Sequence, residues 1–406
     1  MLTKFIDCFI LKGASLEYDE LLVENGVILD PIDVFYRQKR VPQKVISCEN
    51  AIIAPGFIDI QINGALGIDF STHDGPLDEK IFCDLASYLL KSGTTSICPT
   101  VITSPKSAYP KIWHNLDKFI NSFEPIRVLG IHMEGPFLSS DKRGMHPENF
   151  IAEFGVDAKK TLLETYGNFF QNIRIVTLAP ELDNACQAIE YLTSRQIKVG
   201  LGHTAANYDQ MLKAFDRGAS FITHLFNAMP AFHHRSPSVL GSLIDSEKVY
   251  AGIIADKVHS HPKSLKLAER ATNGRVILIT DGNVAMGLKD GDYKFGDREI
   301  TVDKSIAYVK GTKTLAGATQ PMLKCVEGYW QEACDQTAPF KGLATALLAA
   351  STRPAIAIST NPSLDLKIGK ITPGYLADFV VLHADLENKR LQLKSTYING
   401  EQKYAQ

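Results

Sequence analysis

Short apolar runs alternate with helix-patterned segments through the middle of the sequence. The runs are rich in β-branched residues and end in turn or polar residues, which is typical of buried parallel strands. They cover residues 52–61, 95–101, 127–132, 173–178, 198–202, 220–224, 250–255 and 276–280. Eight such strands separated by helices predict an α/β fold, a closed (β/α)8 barrel of the TIM type rather than an open sheet.

Amphipathic helices are predicted in several of the gaps between these runs. Apolar residues recur at helical spacing in the segments 78–93, 184–196, 208–218 and 262–274. Three of the four segments end in a glycine, which suits the C-terminus of a helix. Residues 293–311 have the pattern of a hairpin inserted before the final helix.

The two ends of the chain predict a second, smaller unit. Short strand-like runs precede residue 54 and others follow residue 366, and neither end shows helical periodicity. Either end alone would expose its apolar face, so we expect the two to pack together as one small β-sandwich domain. This division assigns residues 1–54 and 366–406 to the small domain and residues 55–365 to the barrel.

Composition excludes several classes of protein. The chain has 406 residues, with 43 Lys and Arg against 45 Asp and Glu, so its net charge of −2 does not favour nucleic-acid binding. No apolar run approaches the roughly 18 residues of a membrane span, and the N-terminus lacks the apolar core of a secretory signal. The seven cysteines form no CxxC pair and are expected to be reduced. We therefore expect a cytoplasmic protein with neither a nucleic-acid nor a membrane partner.

Histidines are concentrated in one part of the sequence, since eight of the eleven lie between residues 132 and 261. In a barrel of this kind, residues at the C-terminal ends of the strands face the active site. The third strand runs into Glu134, the fifth into His203 and the sixth into His224, while the eighth ends at Asp281. One carboxylate and two imidazoles from three strands match a metal site that keeps an open position for water.

Several longer motifs add to this pattern. They run from residue 54 to residue 317 and read APGFIDIQING, GIHMEGPFL, KRGMHPENF, LAPE, GLGHTAAN, THLFNAMPAFHHR, IADKVH, LITDG and GTKTLAG. In these motifs and their order, the sequence resembles the N-acetylglucosamine-6-phosphate deacetylase family of the amidohydrolase superfamily. The run GYLADFVVL near the C-terminus is similar to the superfamily's closing strand. The resemblance implies hydrolysis of N-acetyl-D-glucosamine 6-phosphate to D-glucosamine 6-phosphate and acetate, in amino-sugar catabolism or salvage.

The resemblance also implies a metal site formed by Glu134, His203 and His224. Many amidohydrolases carry an HxH pair on the first strand and bind two metal ions, but this chain has Gln61 and Asn63 there, and amides are poor ligands for transition metals. One divalent ion is therefore expected. Zinc is the default, and Fe2+, Co2+ or Mn2+ would suit the same ligands. For the two amides, ordinary hydrogen bonding and an indirect role in positioning water both remain open.

Two residues are implied to be catalytic. Asp281 would take a proton from the attacking water and deliver it to the leaving nitrogen. His146 would polarise the acetyl carbonyl and stabilise the oxyanion together with the metal. The family usually has alanine after this aspartate, whereas Gly282 stands there in this chain. We expect glycine in place of alanine to affect the rate of the reaction and not the role of Asp281.

The resemblance implies a set of substrate contacts around these groups. Asn227 and Ala228 would contact the sugar, and Arg235 and His259 would bind the 6-phosphate, since a guanidinium fork suits phosphate oxygens. In the family the phosphate site lies at a subunit boundary, so we expect a homodimer in which one of these two residues can serve the neighbouring subunit. The remaining predicted substrate-binding residues are Met145, His146, Leu315, Ala316 and Gly317.

Other histidines are expected to have ordinary roles. His132 lies two residues before Glu134, on the same side of its strand, and is expected to be structural or to support a ligand. His233, His234 and His261 are expected to be solvated or to cap helices.

Two alternative functions remain open at this point. A different amidohydrolase, such as a cyclic-imide hydrolase or a nucleobase deaminase, would use the same barrel and a similar metal site. It would not need Arg235 and His259, and it usually carries the HxH pair that is missing here. A non-catalytic barrel scaffold typically loses metal ligands or the aspartate of the eighth strand, and this chain retains them all.

Overall fold

A computed structural model describes residues 1–71, 77–122, 125–334, 337–359 and 367–406. Within these ranges, eight parallel strands pair in chain order, and we number them barrel strands one to eight. Their bounds are Phe57–Ile62, Thr94–Ile102, Ile131–Glu134, Ile173–Leu178, Lys198–Leu201, Phe221–Ile222, Tyr250–Ile254 and Val276–Ile279. The predicted barrel fold is confirmed.

Helices cover the outside of the barrel. Their bounds are Glu79–Leu90, Tyr109–Ser122, Ala158–Tyr166, Ala185–Ser194, Tyr208–Asp216, Ser238–Ile244, Pro262–Ala271, Met322–Glu332, Pro339–Ala350 and Thr352–Ile358. Local sequence explains where they begin: Asn207 and Gln210, for example, form a reciprocal capping box at the start of Tyr208–Asp216. In the described part of the chain, no helix has both the length and the apolarity needed to cross a membrane.

Both chain ends contribute to a second sheet. Its seven strands within the described residues lie in the order Glu401–Ala405, Arg390–Ile398, Phe379–Asp385, Lys44–Pro55, Thr3–Lys12, Ser15–Glu24 and Val27–Leu29. The two ends meet at its centre, where Phe379–Asp385 pairs antiparallel with Lys44–Pro55. The expected association of the chain ends is therefore confirmed. The boundary predicted at residues 365–366 lies outside the described residues.

The predicted strand 52–61 is divided between the two sheets at Gly56. Residues up to Pro55 belong to the second sheet, and barrel strand one begins at Phe57. The N–H of Gly56 donates to the carbonyl of Asp378 at 3.0 Å, and a Cβ at this position would lie only 2.1 Å from the hydroxyl oxygen of Thr95. The hydrophobic pattern of the sequence gives no sign of this break, because the residues on both sides of Gly56 are buried.

The hairpin predicted after barrel strand eight is a larger insertion. Among the described residues it consists of three antiparallel strands, Gly291–Phe295, Arg298–Asp303 and Ile306–Val309. Phe295 packs in one hydrophobic cluster with Ile102 and Met145, at the C-terminal end of the barrel. The carboxylate of Asp69 anchors the first turn of the insertion by accepting the N–H of Gly296 at 2.6 Å.

Barrel strands one and eight meet just beyond their C-terminal ends. The N–H of Asp281 donates to the carbonyl of Gln61 at 2.9 Å, and the N–H of Asn63 donates to the carbonyl of Gly282 at 2.7 Å. We call this contact between residues 59–63 and 280–282 the seam. It brings the polar end of the first strand alongside Asp281.

The buried carboxyl group of Asp59 strengthens the seam by hydrogen bonding to Thr280. Asp59 is 1% exposed, and it accepts hydrogen bonds from the hydroxyl of Thr280 at 2.5 Å and from the Thr280 N–H at 3.2 Å. Burial raises the pKa of Asp59 to about 7, although these hydrogen bonds act in the opposite direction. The side chain thereby ties together the backbone segment that carries Gln61 and Asn63 and the segment that carries Asp281.

Candidate active site

A cavity of about 430 Å³ opens at the C-terminal end of the barrel. Its wall contains most of the residues predicted from the motifs: Glu134, Met145, His146, His203, His224, Asn227, Ala228, His259, Asp281, Leu315 and Gly317. Another cavity, of about 510 Å³, is lined by Arg174 and Lys370 and by none of the predicted site residues. The chemistry that the sequence indicates is therefore concentrated in the first cavity.

Arg235 and Ala316 are the predicted site residues that do not line this cavity. Arg235 is exposed on the loop that follows barrel strand six. Ala316 is fully buried behind the wall, where its N–H donates to Ala307 and its carbonyl accepts the side-chain amide of Asn283 at 2.7 Å. Within one chain, Arg235 therefore does not line the cavity that contains His259.

Glu134, His203 and His224 form a buried cluster that can hold a metal ion. The Nε2 atom of His224 lies 2.9 Å from Oε1 of Glu134 and 3.0 Å from Nε2 of His203, and the latter lies 3.2 Å from the same Oε1. Ligand atoms of a tetrahedral zinc site lie about 3.3 Å apart, given zinc–ligand distances of about 2.0–2.1 Å. A small outward movement of the three side chains therefore accommodates a divalent ion.

The backbone turns sharply where the functional side chains leave the barrel. His203, His224 and Asp281 have φ values of 48°, 31° and 48°, in the left-handed region that non-glycine residues seldom adopt. Each lies two residues after the last residue of its barrel strand. Such conformations are concentrated at functional sites, because the surrounding structure must hold them in place.

Contacts behind the cluster orient the imidazole of His203. Its Nδ1 atom lies 2.9 Å from the carbonyl of Lys142, and a carbonyl can only accept, so Nδ1 donates. In the neutral ring, Nε2 then presents a lone pair to the cluster, as metal-binding histidines do. Burial opposes ionisation of Glu134, but the adjacent imidazoles of His203 and His224 hold its pKa well below the usual value.

Asp281 lies beside the cluster and receives hydrogen bonds from the side-chain amides of Gln61, in barrel strand one, and Asn63, just after it. Asn63 Nδ2 donates to its Oδ1 at 2.8 Å, and Gln61 Nε2 lies 3.4 Å from the same atom and 3.1 Å from Oε1 of Glu134. The amide oxygens of Gln61 and Asn63 are buried and have no hydrogen-bond partner in the described structure. Burial, followed by the charge of Glu134, raises the pKa of Asp281 to about 6.

His146 offers a hydrogen-bond donor to the cavity. Its Nδ1 lies 3.3 Å from the N–H of Thr103 and 2.8 Å from the hydroxyl of the same residue. Because an N–H can only donate, Nδ1 carries the lone pair, and the proton of the neutral ring lies on Nε2. Burial, and then the neighbouring His203, lower the pKa of His146 to about 3, so the ring is neutral at physiological pH.

His259 is held in the cavity wall by Asp256. The Asp256 carboxylate lies 2.7 Å from Nδ1 of His259 and accepts the backbone N–H of the same residue at 2.8 Å. This pair leaves Nε2 of His259 available to a ligand. Burial opposes ionisation of Asp256, and the hydrogen bonds from His259 lower its pKa overall.

Sequence reasoning missed several residues of the wall. Lys142 and Lys313 line the cavity, and neither has an ion-pair partner within the ranges that the structure describes. Lys142 belongs to the KRGMHPENF motif, which could have drawn attention to it. Phe295 enters from the insertion, whose position over the barrel the sequence pattern does not give.

Comparison with known proteins places this geometry in a family. The model of the Amidohydrolase family matches residues 52–403. The chain belongs to the amidohydrolase family. This amidohydrolase is 41% identical over 407 residues to N-acetylglucosamine-6-phosphate deacetylase of Danio rerio, which covers 99% of this chain and 96% of the relative. The family resemblance seen in the motifs is thereby confirmed.

Two further comparisons agree. N-acetylglucosamine-6-phosphate deacetylase of Rattus norvegicus is 40% identical to this amidohydrolase over 403 residues, covering 98% of this chain and 94% of the relative. The crystal structure of N-acetylglucosamine-6-phosphate deacetylase from Pasteurella multocida superimposes with a TM-score of 0.84 at 30% identity, over 100% of both chains. The similarity therefore extends through the barrel and the second sheet.

Proposed function

We propose that this amidohydrolase hydrolyses N-acetyl-D-glucosamine 6-phosphate to D-glucosamine 6-phosphate and acetate. The observation that carries this proposal is the convergence of a buried Glu134–His203–His224 cluster and the carboxyl of Asp281 in one cavity. The proposal is also supported by full-length similarity to proteins that are named N-acetylglucosamine-6-phosphate deacetylase. The reaction is hydrolysis of a linear amide.

The metal expected of an amidohydrolase fits the Glu134, His203 and His224 donors, and we assign one divalent ion to them. When bound, such an ion lowers the pKa of a water molecule and polarises the carbonyl of the substrate. The side-chain amides of Gln61 and Asn63 direct their N–H groups at carboxylates, which supports a single ion rather than a pair. Zinc is the default for this donor set, with Fe2+, Co2+ or Mn2+ as alternatives.

Asp281 and His146 divide the proton chemistry. Asp281 accepts a proton from the attacking water as the new C–O bond forms, and delivers it to the nitrogen as the C–N bond breaks. A pKa of about 6 suits both steps, since the group is mostly ionised near neutral pH yet is readily protonated. The Nε2–H of His146 donates to the oxyanion that develops on the acetyl carbonyl.

The sugar and its phosphate contact the rest of the wall in this proposal. Asn227 and Ala228 bind the sugar, together with Met145, Leu315 and Gly317. His259 binds the phosphate from within the chain. Arg235, which is exposed and lies outside the cavity of its own chain, reaches the phosphate of a neighbouring subunit in a homodimer.

The substitution Asp281→Asn tests the central assignment. The variant keeps the shape of the side chain but removes the base, so turnover should fall by about 10²–10⁴-fold while metal content and sugar-phosphate binding remain. Acetate release, metal analysis and calorimetric binding of the substrate measure the three quantities. Asp216→Asn, outside the cavity, serves as the matched control. Near-normal turnover of the Asp281 variant would refute the proposed role.

A further inference from the structure

A chain of hydrogen bonds runs through the barrel interior next to the metal-ligand cluster. His132 Nδ1 lies 3.0 Å from the carbonyl oxygen of Ile60, and its Nε2 lies 2.7 Å from the hydroxyl of Thr177. That hydroxyl in turn lies 2.7 Å from the hydroxyl of Thr223. The side chains of His132, Thr177 and Thr223 are all 0% exposed. We call these three side chains the buried layer.

The direction of each hydrogen bond in the layer follows from the carbonyl of Ile60 at one end of the chain of hydrogen bonds. The carbonyl of Ile60 can only accept, so Nδ1 of His132 donates to it. The ring is buried and has no hydrogen bond to a carboxylate in the described structure, and burial favours its neutral form. Nε2 therefore accepts from the Thr177 hydroxyl, whose oxygen accepts from Thr223. Each of these hydroxyl and ring groups has a defined partner.

Two glycines leave room for the layer. Thr177 belongs to barrel strand four and Thr223 follows strand six, so their hydroxyls meet across strand five. A Cβ at Gly200 would lie 2.8 Å from the Thr223 hydroxyl and 3.0 Å from the Thr177 hydroxyl. A Cβ at Gly202 would lie 2.7 Å from Cβ of Thr223. The two glycines of the GLGH run, which ends in the ligand His203, therefore leave the space that Thr177 and Thr223 occupy.

We propose that the buried layer positions Glu134 and His224 for the metal ion. His132 lies two residues before Glu134 on the same face of its strand, and Thr223 directly precedes His224. The layer fixes the spacing of the strands that carry these ligands, and its members are positioning residues that do not touch the ion. The inference rests on the proposed function only for the identity of the ligands.

Zinc binding by the metal-free protein tests this proposal without relying on activity. Thr177→Val keeps the shape of the side chain and removes the hydroxyl, which leaves Nε2 of His132 and the hydroxyl of Thr223 without partners. The zinc dissociation constant, measured by competition with a chelating dye, should rise about 10–100-fold. Thr177→Ser, which keeps the hydroxyl, should bind zinc nearly as the wild type does. The absorption spectrum of bound Co2+ should change in the valine variant only.

A matched control separates positioning from loss of stability. Thr272 is also 0% exposed, and its hydroxyl donates to the carbonyl of Ala268 at 2.8 Å at the end of helix Pro262–Ala271. Thr272→Val should lower the melting temperature and leave the zinc affinity unchanged. The proposal is overturned if Thr177→Val binds zinc like the wild type, or if Thr272→Val weakens binding equally. If Thr177→Val does not fold, Thr223→Val undergoes the same comparison.

A ligand variant distinguishes failure of this proposal from failure of the proposed function. Glu134→Gln should weaken zinc binding more than any change in the layer. Unaltered zinc binding by Glu134→Gln would contradict the ligand set, and with it the proposed function. Weakened binding by Glu134→Gln together with wild-type binding by Thr177→Val would overturn the buried layer alone.

Discussion

Thr103 determines which nitrogen of His146 carries the proton. Its N–H and its hydroxyl both lie within hydrogen-bond distance of Nδ1, so that the Nε2–H is left for the substrate. The hydroxyl itself fills a space that only glycine at residue 135 allows, since a Cβ on Gly135 would lie 2.3 Å from it. Thr103, which takes no part in the proposed reaction, thus directs the Nε2–H of His146 toward the substrate.

Thr103→Val should lower kcat and leave KM nearly unchanged. The loss of one neutral hydrogen bond to His146 costs about 1 kcal/mol, or roughly fivefold in rate if it is felt in the transition state. Acetate release at saturating and at limiting sugar phosphate separates the two constants. Nitrogen NMR of the His146 ring reports its tautomer. Thr103→Ser is the control, and an equal fall of kcat in both variants would contradict this role.

At the scale of single residues, the sequence could identify the chemistry but not the direction of side-chain groups. Glu134, His203, His224 and Asp281 could be predicted because strand ends in a barrel converge. The role of Gln61 could not, because an amide presents a donor or an acceptor depending on a rotation that no sequence pattern records. Its unpartnered oxygen and its N–H contacts to carboxylates became visible only in three dimensions.

At the scale of elements, hydrophobic patterning reports burial but not membership of a sheet. The eight barrel strands could be predicted because each is buried on both faces. The run 52–61 crosses from one sheet to the other without any change in burial, so its division at Gly56 had no signature in the pattern. Similarly, the predicted strand 127–132 is interrupted: Arg127–Val128 pairs with barrel strand two, and barrel strand three begins at Ile131.

The insertion provides a test of how pH affects stability. Burial raises the pKa of Asp69 to about 6, above its value of about 4 in an unfolded chain. The folded state therefore binds this proton more tightly, and the contribution to stability is present below about pH 4 and lost as pH rises through about 6. Between these values the group lowers the free energy of unfolding by up to about 1.4 kcal/mol per pH unit.

Asp69→Asn should make the pH dependence of unfolding shallower across that interval. The asparagine cannot ionise, so the loss of stability assigned to this group disappears, although the anchor to Gly296 is weakened at every pH. Urea unfolding between about pH 4 and about pH 7 measures the slope. Asp303→Asn, on an exposed residue of the same insertion, should leave the slope unchanged. An identical slope for wild type and Asp69→Asn would contradict the prediction.

At the scale of the whole molecule, the proposed phosphate site extends beyond one chain. His259 lies in the cavity, whereas Arg235 is exposed outside it. Arg235→Ala should therefore raise KM for the phosphorylated sugar much more than it lowers kcat, because a guanidinium–phosphate pair contributes mainly to binding. Kinetics with phosphorylated and plain N-acetylglucosamine measure the effect. An unchanged preference for the phosphorylated sugar would contradict the assignment.

Mixed dimers would show which subunit of the proposed homodimer supplies the arginine. When Arg235→Ala and Asp281→Asn chains are refolded together, one site of each mixed dimer combines Asp281 of one chain with Arg235 of the other. Activity with the wild-type KM should then return, although each variant alone lacks it. If Arg235 acts on its own cavity, mixing restores nothing. Sequence alone could indicate both residues but not which chain's cavity Arg235 serves, because a contact between subunits would leave no periodicity in one chain.

The seam has a consequence for how the enzyme is made. The carboxylate of Asp281 bonds to Asn63, 218 positions earlier in the chain, and the Thr280 hydroxyl reaches Asp59 across 221 positions. During synthesis, the first strand and the proposed metal ligands leave the ribosome well before barrel strand eight and the proposed base that follows it. A nascent or truncated chain that ends before barrel strand eight therefore leaves Asp59 and Asn63 without these partners and lacks the proposed base, so it cannot hydrolyse substrate.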